Sequence, residues 1–320
     1  MEFFSKSTRP ASLDVYSSCH LCPRNCGSDR LSGKAGFCGM TSELRIARVG
    51  LHMWEEPCIS GSAGSGTIFF TGCSLGCIFC QNHDISRRRS SGSSTSDPSS
   101  LPYALPGRVY SVSELAQAML DLQKKGANNI NFVTGTHFVP HIIEGVRIAR
   151  SKGLTVPTVF NCGGYENVET IRALEGTIDI YLPDMKFFSS ETSKKYARVD
   201  DYFDKAKDAV AEMVRQCPGQ VFDSNGLMKK GVIVRHLMLP GLLFDSKHIL
   251  DYLCETYGND ITISLMNQYT PMPGVPDELR RPLPPEHYRS MVDHLSLLGQ
   301  ENAFIQEGGT VSESFIPDFE

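Results

Sequence analysis

This chain has no long apolar run, no excess of positive charge and little tryptophan. Its 320 residues include one tryptophan, and the formal net charge at pH 7 is −5. No apolar run approaches the ~18 residues that a membrane-spanning helix requires, so no membrane partner is expected. A broad nucleic-acid-binding surface would be basic, so nucleic acid is not an expected partner either. The N-terminus lacks the apolar core of a secretory signal, and a cytoplasmic protein is expected.

Cysteine, in contrast, is abundant. The chain contains 11 cysteines, an odd number, and most of them fall in two short clusters. The first cluster contains Cys19, Cys22, Cys26 and Cys38, and the second contains Cys73, Cys77 and Cys80. Disulfide scaffolds are typical of short secreted chains, whereas tight Cys-x2-Cys spacing in a cytoplasmic chain indicates bound metal. The sequence therefore predicts a metalloprotein.

From Thr67 onward, short β-branched or aromatic runs alternate with amphipathic stretches. The predicted strands are 67–71, 129–133, 155–160, 177–182, 231–239, 260–265 and 303–306. The predicted helices are 111–126, with Ser113 as its N-cap, 141–153, 166–176, 189–217, 246–258 and 284–299. Repeated strand–helix units predict a parallel sheet with helical crossovers. The expected fold class is α/β, a partial (β/α)6 TIM-like barrel.

The chain is expected to divide into two regions. Residues 1–66 are predicted to be an irregular, Cys-rich, metal-binding extension, and residues 67–320 to form the barrel. Within the barrel, residues 87–109 are rich in Ser, Pro and Gly. This composition predicts a flexible surface insertion, in which the Arg87–Arg89 run is a solvated loop edge.

The second cysteine cluster follows the first predicted barrel strand directly. Active sites of β/α barrels are built at the C-terminal ends of the strands. A [4Fe–4S] cluster normally takes four thiolate ligands, so the three thiolates of this loop leave one iron open for a cofactor or substrate. A zinc knuckle is the alternative interpretation. The loop, with Phe79 before Cys80, resembles the signature of the radical S-adenosylmethionine superfamily.

This resemblance implies a reaction as well as a barrel of the radical SAM type. A reduced cluster donates an electron to S-adenosylmethionine, and the resulting 5′-deoxyadenosyl radical abstracts a hydrogen atom. Such a cluster lies near the low end of iron–sulfur potentials, so an external low-potential electron donor is implied. Cys73, Cys77 and Cys80 would then be both metal ligands and catalytic residues.

Polar or small residues follow most of the predicted barrel strands. Because strand ends converge in a barrel, these residues suit a polar cofactor with an amine, a carboxylate and ribose hydroxyls. Together with Phe79, the predicted cofactor-binding residues are Thr134, Gly135, Thr136, His137, Asn161, Asp184, Lys186, Arg235 and His236. Simpler interpretations are an exposed Asp184–Lys186 ion pair, a structural role for Arg235 and a helix cap at His137.

From about Thr67 to its end, the chain resembles pyruvate formate-lyase activating enzymes. The resemblance matches Asp184 and Lys186 to an Asp-x-Lys motif and Arg235 to a basic residue on the fifth strand. In those enzymes a Gly-Gly-Glu-like segment receives the methionine amine. The matching segment here, 134–137, has no acid, so backbone carbonyls and the Thr136 hydroxyl are expected to replace it.

The N-terminal cysteines have the spacing Cys-x2-Cys-x3-Cys-x11-Cys. Four thiolates suit either structural zinc or a second, fully ligated iron–sulfur cluster, and spacing alone does not decide between them. Pro23–Arg24 and the segment 54–58 resemble a narrower group of uncharacterised, activating-enzyme-like iron–sulfur proteins. Cys58 is expected to be a core residue.

The leading hypothesis is therefore a radical SAM enzyme that acts on an unidentified substrate. That substrate is either a protein that receives a glycyl radical or a small molecule. The alternative is an iron–sulfur or zinc protein with a structural or electron-transfer role and no SAM chemistry.

Overall fold

The computed structural model describes residues 13–86, 106–272 and 274–306. Ten strands form one sheet in this part of the chain. Their bounds are β1 Arg45–His52, β2 Ser65–Phe70, β3 Arg108–Val109, β4 Ile130–Val133, β5 Thr158–Cys162, β6 Ile180–Pro183, β7 Val221–Phe222, β8 Met228–Leu237, β9 Thr262–Met266 and β10 Ala303–Ile305. All seven predicted barrel strands are present.

The sheet is mostly parallel and does not close. Its strand order is β10-β9-β8-β6-β5-β4-β2-β1-β3, with β7 beside β8. Strands β2, β4, β5, β6, β8, β9 and β10 pair in parallel. The described strands therefore form an open, partial barrel with six strand–helix units and a final strand, which confirms the predicted fold class.

Nine α-helices lie in the described residues. Their bounds are α1 Pro57–Ser60, α2 His83–Ser86, α3 Val112–Lys124, α4 Val139–Ser151, α5 Val168–Ala173, α6 Ser190–Ala197, α7 Tyr202–Gln216, α8 Leu243–Tyr257 and α9 Pro285–Leu297. The longer helices bury one apolar face, as Leu115 and Met119 of α3 illustrate. None of these helices has the length and apolar character required to cross a membrane.

Strand β1 lies in a region that was predicted to be irregular. It pairs antiparallel with β2, from Ile46 opposite Phe70 to His52 opposite Ser65. A bulge between Ile46 and Arg48 interrupts the register. A bulge shifts the alternation of inward and outward side chains, so the two-residue period is hidden in the sequence. The sheet therefore begins before residue 67.

Three local predictions were wrong. Residues 189–217 form two helices, because Arg198 ends α6 in the left-handed region with φ 58°. The N-cap of α3 is Ser111, whose hydroxyl accepts from the Glu114 amide in a capping box, and not Ser113. In the predicted insertion, Arg108–Val109 pairs with β1 as a strand. Residues 87–105, including Arg87–Arg89, lie outside the described residues.

Candidate active site

A cavity of about 390 Å³ lies at the C-terminal ends of the parallel strands. Ten of the predicted site residues line it. They are Cys73, Cys77, Phe79, Cys80, Thr134, Thr136, Asn161, Asp184, Lys186 and Arg235. Residues that lie far apart in the chain converge here because parallel strands end at one rim of a barrel.

Two sulfur atoms of the cysteine loop after β2 accept hydrogen bonds from neighbouring groups. The Leu75 amide donates to Cys73 Sγ at 3.4 Å, and the Ser86 hydroxyl donates to Cys80 Sγ at 3.3 Å. Gly76 has φ 70°, a left-handed conformation that glycine adopts without strain. Burial raises the pKa of Cys73 to about 11.

Phe79 fixes this loop to the barrel. Its ring packs edge-on against Phe187 at 6.0 Å and against Tyr196 and Tyr269 at 6.5 Å each. The Ile78 amide also donates to the Tyr196 carbonyl at 2.9 Å. Edge-to-face aromatic contacts add specific stabilisation beyond area burial. Phe79, which lies between Cys77 and Cys80, thus attaches the loop to a buried aromatic cluster of the barrel.

A buried ion network crosses the cavity wall. Asp184 accepts from Lys186 Nζ at 2.5 Å and from Arg235 Nε at 3.1 Å. Arg235 also donates to Glu55 Oε2 at 3.2 Å and to Asn161 Oδ1 at 2.5 Å. Side-chain exposure is 16% or less at Lys186, Asp184, Arg235 and Glu55. Asp184 and Lys186 therefore do not form an ordinary exposed ion pair.

The pKa values within the network follow from pairing. Burial alone would raise the pKa of Asp184, but Lys186 and Arg235 outweigh it and hold that pKa below its usual value. Burial raises the pKa of Glu55, while Arg235 opposes the rise. Removal of one partner from a buried pair leaves an uncompensated charge, which typically costs ~3–5 kcal/mol.

Glu166 contributes a second type of carboxyl group to the same cavity. Burial raises the pKa of Glu166 to about 8. Its side chain forms hydrogen bonds with those of Thr136 and Cys162. The residue is 1% exposed. Among the described residues, Glu166 Oε2 has no hydrogen-bond partner, although it is buried. Unsatisfied buried oxygens are uncommon in folded proteins and are often binding positions.

Thr134 adopts a strained conformation at the end of β4. Its φ is 59°, and its amide donates to the Asn161 carbonyl at 2.8 Å. Left-handed backbone is unfavourable for a β-branched residue and persists only where the surrounding structure enforces it. This strain coincides with the cavity wall.

Three predicted cofactor-binding residues lie outside the cavity lining. His236 follows Arg235 on β8 and so points to the opposite face of the strand, where its Nδ1 donates to the Met185 carbonyl at 2.7 Å. His137 is buried, and its Nε2 donates to the Thr71 carbonyl at 2.8 Å. Gly135 packs closely against Ile142 and Phe70. The structure thus places these residues in packing positions.

The N-terminal segment packs directly beside the cysteine loop. The Arg24 guanidinium donates to the carbonyls of Ser74 and Leu75 at 3.1 and 2.8 Å. It also donates to the carbonyls of Ala197 and Arg198 at 2.8 and 2.9 Å. Arg24 therefore joins the first cysteine cluster to the second.

The four N-terminal thiols surround a common region. Burial raises the pKa of Cys22 above its usual value, and the nearby Cys38 and Cys19 thiols add to this rise. A Cβ at Gly36 would lie 3.4 Å from Cys26 Sγ and 3.5 Å from Cys38 Sγ. Within the described ranges, no three Cys, His, Asp or Glu side chains are grouped to hold a single metal ion. Iron–sulfur clusters need no such convergence, because each thiolate binds a different iron.

Sequence reasoning missed three carboxyl groups in the cavity. Glu166 lies four residues beyond β5, in the loop that follows this strand. Glu55 and Glu56 precede α1 and reach the cavity from the connection between β1 and β2. Glu56 Oε2 is buried and has no hydrogen-bond partner in the described part of the chain. Two adjacent acids after a strand were a signal, but the strand itself had not been predicted.

Known proteins resemble this chain to different extents. An uncharacterised protein of Methanocaldococcus jannaschii is 29% identical over 261 residues, which is 81% of this chain and 68% of the relative. A radical SAM methyltransferase structure from Sphaerobacter thermophilus is 14% identical, with a TM-score of 0.49, over 76% of this chain and 66% of its own. Methylornithine synthase is 16% identical, with a TM-score of 0.45, over 70% of this chain and 59% of its own. The chain thus spans less than two thirds of these solved structures.

The sequence pattern of the radical SAM superfamily matches residues 67–253. This range is more than half of the chain and contains the cysteine loop, the end of β5 with Glu166, and the Asp184–Arg235 network. The chain therefore belongs to the radical SAM superfamily, whose members bind a [4Fe–4S] cluster and S-adenosylmethionine and depend on an electron donor.

Proposed function

We propose that this protein cleaves S-adenosylmethionine reductively and abstracts a hydrogen atom from a substrate held in the same cavity. The observation that carries the proposal is that Cys73, Cys77 and Cys80 line one cavity with a buried ion network and with Glu166, one oxygen of which has no hydrogen-bond partner among the described residues. When bound, the cluster and S-adenosylmethionine supply a 5′-deoxyadenosyl radical for hydrogen abstraction. The donor set fits, because three thiolates leave one iron of a cubane open.

Glu166 is the proposed partner of the methionine ammonium group. Its unpaired oxygen is buried in the cavity wall beside Thr136. An ammonium donates three hydrogen bonds and carries a positive charge, so it satisfies both the oxygen and the carboxylate charge. The acid that segment 134–137 lacks is thus supplied by the loop after the neighbouring strand. This proposal replaces the expected backbone carbonyls.

Lys186 and Arg235 have different proposed roles. Arg235 already donates to Asp184, Glu55 and Asn161, so it positions the cavity wall. Lys186 donates one hydrogen bond to Asp184 and has two further N–H donors. We assign Lys186 to an anionic or hydroxyl group of the cofactor. Asp184 holds Lys186 charged and in place, since their pairing raises the pKa of Lys186 against the effect of burial.

The central experiment measures cofactor cleavage. Anaerobically reconstituted protein, reduced with dithionite in the presence of S-adenosylmethionine, is expected to release 5′-deoxyadenosine. Cys73→Ala, Cys77→Ala or Cys80→Ala should abolish the release. Cys254→Ala, on α8 and outside the cavity, is the matched control and should retain it. A cluster-loaded sample that binds S-adenosylmethionine but releases no 5′-deoxyadenosine would contradict the proposal.

The assignment of Glu166 is tested by binding. The dissociation constants of the cluster-loaded protein are measured for S-adenosylmethionine and for an analogue in which a hydroxyl replaces the methionine amine. Glu166→Gln should weaken binding of the natural cofactor about tenfold or more, equivalent to ~1.4 kcal/mol. It should change binding of the analogue much less. Equal weakening for both ligands would refute the assignment.

The resemblance to pyruvate formate-lyase activating enzymes supports a narrower proposal, in which the substrate is a protein glycine. Hydrogen abstraction there would leave a glycyl radical on the partner. An electron paramagnetic resonance signal on a candidate partner, dependent on this enzyme and on S-adenosylmethionine, tests the idea. Turnover of a small molecule, with no partner radical, would contradict it.

A further inference from the structure

Arg30 is a buried cation that donates its hydrogen bonds to neutral groups. Its side chain is fully buried, at 0% exposure. The guanidinium donates to the carbonyls of Met40, Thr41 and His137 at 3.2, 2.7 and 2.8 Å. It also lies 4.3 Å above the Tyr16 ring. All of these partners are formally neutral.

No carboxylate pairs with Arg30 among the residues that the structure describes. The remaining hydrogen-bond acceptor is Cys19 Sγ, 3.5 Å from Arg30 Nη1. A charge that is buried without a counter-charge is strongly unfavourable. The surroundings of Arg30 therefore require an anion at the cysteines.

The same region contains all the sulfurs of the first cluster. A Cβ at Gly36 would touch Cys26 Sγ and Cys38 Sγ, and it would also lie 3.7 Å from Arg30 Cδ. The absence of a side chain at Gly36 leaves space beside these two sulfurs. Cys22 begins a turn closed by the Asn25 amide and the Cys22 carbonyl at 3.0 Å, and the Gly27 amide donates to the Cys19 carbonyl at 3.0 Å.

We propose that Cys19, Cys22, Cys26 and Cys38 bind a second iron–sulfur cluster as four thiolates, whose negative charge is compensated by Arg30. Four thiolates around an oxidised [4Fe–4S] cluster carry a net charge of about −2. The cluster therefore supplies the anion that Arg30 lacks. A zinc ion would need its ligands grouped around one point, which the described residues do not show, so zinc in place of iron would overturn the proposal.

The centre has a structural consequence for the active site. Arg24 lies between Cys22 and Cys26, and its guanidinium bonds carbonyls of the 73–80 loop. Arg30 bonds the His137 carbonyl just beyond β4. Bound metal thus holds both arginines in place, Arg24 against the 73–80 loop and Arg30 against the segment that follows β4.

The first test is a metal count that does not depend on the proposed function. The full chain with Cys73→Ala, Cys77→Ala and Cys80→Ala is purified anaerobically and analysed for iron, zinc and acid-labile sulfide. Retention of about four irons and about four sulfides would support the cluster, whereas about one zinc without iron would overturn it. Adding Cys19→Ala and Cys22→Ala should remove the metal. Adding Cys217→Ala and Cys254→Ala instead should not.

A folded triple variant that contains neither metal would overturn the proposal. A second measurement uses wild-type protein and needs no variant to fold. Cys26 is exposed. Its alkylation by iodoacetamide should be blocked in the purified protein and should appear after chelation, with Cys254 as the internal reference. Equal labelling of Cys26 before and after chelation would also overturn the proposal.

The role of Arg30 is tested by comparing two melting-temperature shifts. Removal of metal from the wild type leaves a buried guanidinium without an anion, whereas removal from Arg30→Met does not. Chelation should therefore lower the melting temperature of the wild type more than that of the variant. Equal decreases would contradict the proposed charge compensation.

Discussion

At the scale of single residues, buried carboxyl groups separate into two kinds in this cavity. Asp184 and Glu55 are paired with cations, while Glu166 has polar neighbours but no cation among the residues that the structure describes. Pairing lowers the pKa of Asp184, and burial without pairing raises the pKa of Glu166 to about 8. A buried carboxyl that awaits a cationic ligand is expected to lower the stability of the folded protein without that ligand, because its charge is then buried without a partner.

Glu166 should make folding stability depend on pH. Its ordinary pKa of 4.5 applies in the unfolded chain, and its folded value is about 8. Between these values the unfolded chain releases a proton that the folded chain retains, so stability falls as pH rises. The stabilising effect is complete below about pH 4.5 and is lost as pH rises through about 8.

Glu166→Gln should therefore reduce the loss of stability between pH 5 and 8, by up to ~1.4 kcal/mol per pH unit. The measurement is urea unfolding across this range without S-adenosylmethionine. Glu212→Gln is the control, because burial would raise the pKa of Glu212 but Arg215 and Gln216 outweigh it and lower that pKa. Glu212 is therefore ionised in both the folded and the unfolded chain above pH 5, and its replacement should leave the slope in this range unchanged. Identical slopes for wild type and Glu166→Gln would contradict the burial argument.

At the scale of elements, local sequence signals placed most helices and strands but not their ends. Helix α3 was predicted over 111–126, and the structure has it at Val112–Lys124. Two serines, Ser111 and Ser113, compete for the N-cap in the sequence. The position of Glu114 decides between them, because a capping box requires the acid three residues after the cap.

Replacement of the two serines distinguishes these caps. Ser111→Ala should lower the free energy of unfolding by ~1 kcal/mol, because it removes the acceptor of the Glu114 amide. Ser113→Ala, at an exposed position within the first turn, should change it by less than ~0.5 kcal/mol. Denaturant unfolding of both variants is the measurement. A larger loss in Ser113→Ala would refute the observed cap.

At the scale of the whole molecule, the N-terminal segment acts as a brace on the barrel. Arg24 contacts the cysteine loop and the end of α6 at once, through carbonyls whose positions in the chain are more than a hundred residues apart. Such contacts restrict local opening of the loop that carries Cys73, Cys77 and Cys80.

Arg24→Met should release this brace. Hydrogen bonds from a charged donor contribute ~1.5–3 kcal/mol each, so amide exchange in 73–80 and 190–198 should accelerate at least about tenfold. Hydrogen–deuterium exchange with mass spectrometry of the full chain is the measurement. Arg45→Met, which removes a single bond to the Gly107 carbonyl, should leave both segments unchanged. Unchanged exchange after Arg24→Met would contradict the brace.

The sequence alone determined the order of the parallel strands and helices along the chain and the spacing of the thiols in both cysteine clusters. These features are encoded locally, in the period of apolar residues and in the spacing of thiols along a few turns. Only the tertiary structure decided that Glu166 and Glu55 enter the cavity, that His236 leaves it and that Arg30 faces the N-terminal thiols. Each of these outcomes depends on burial and on contacts between distant segments, which no local pattern records.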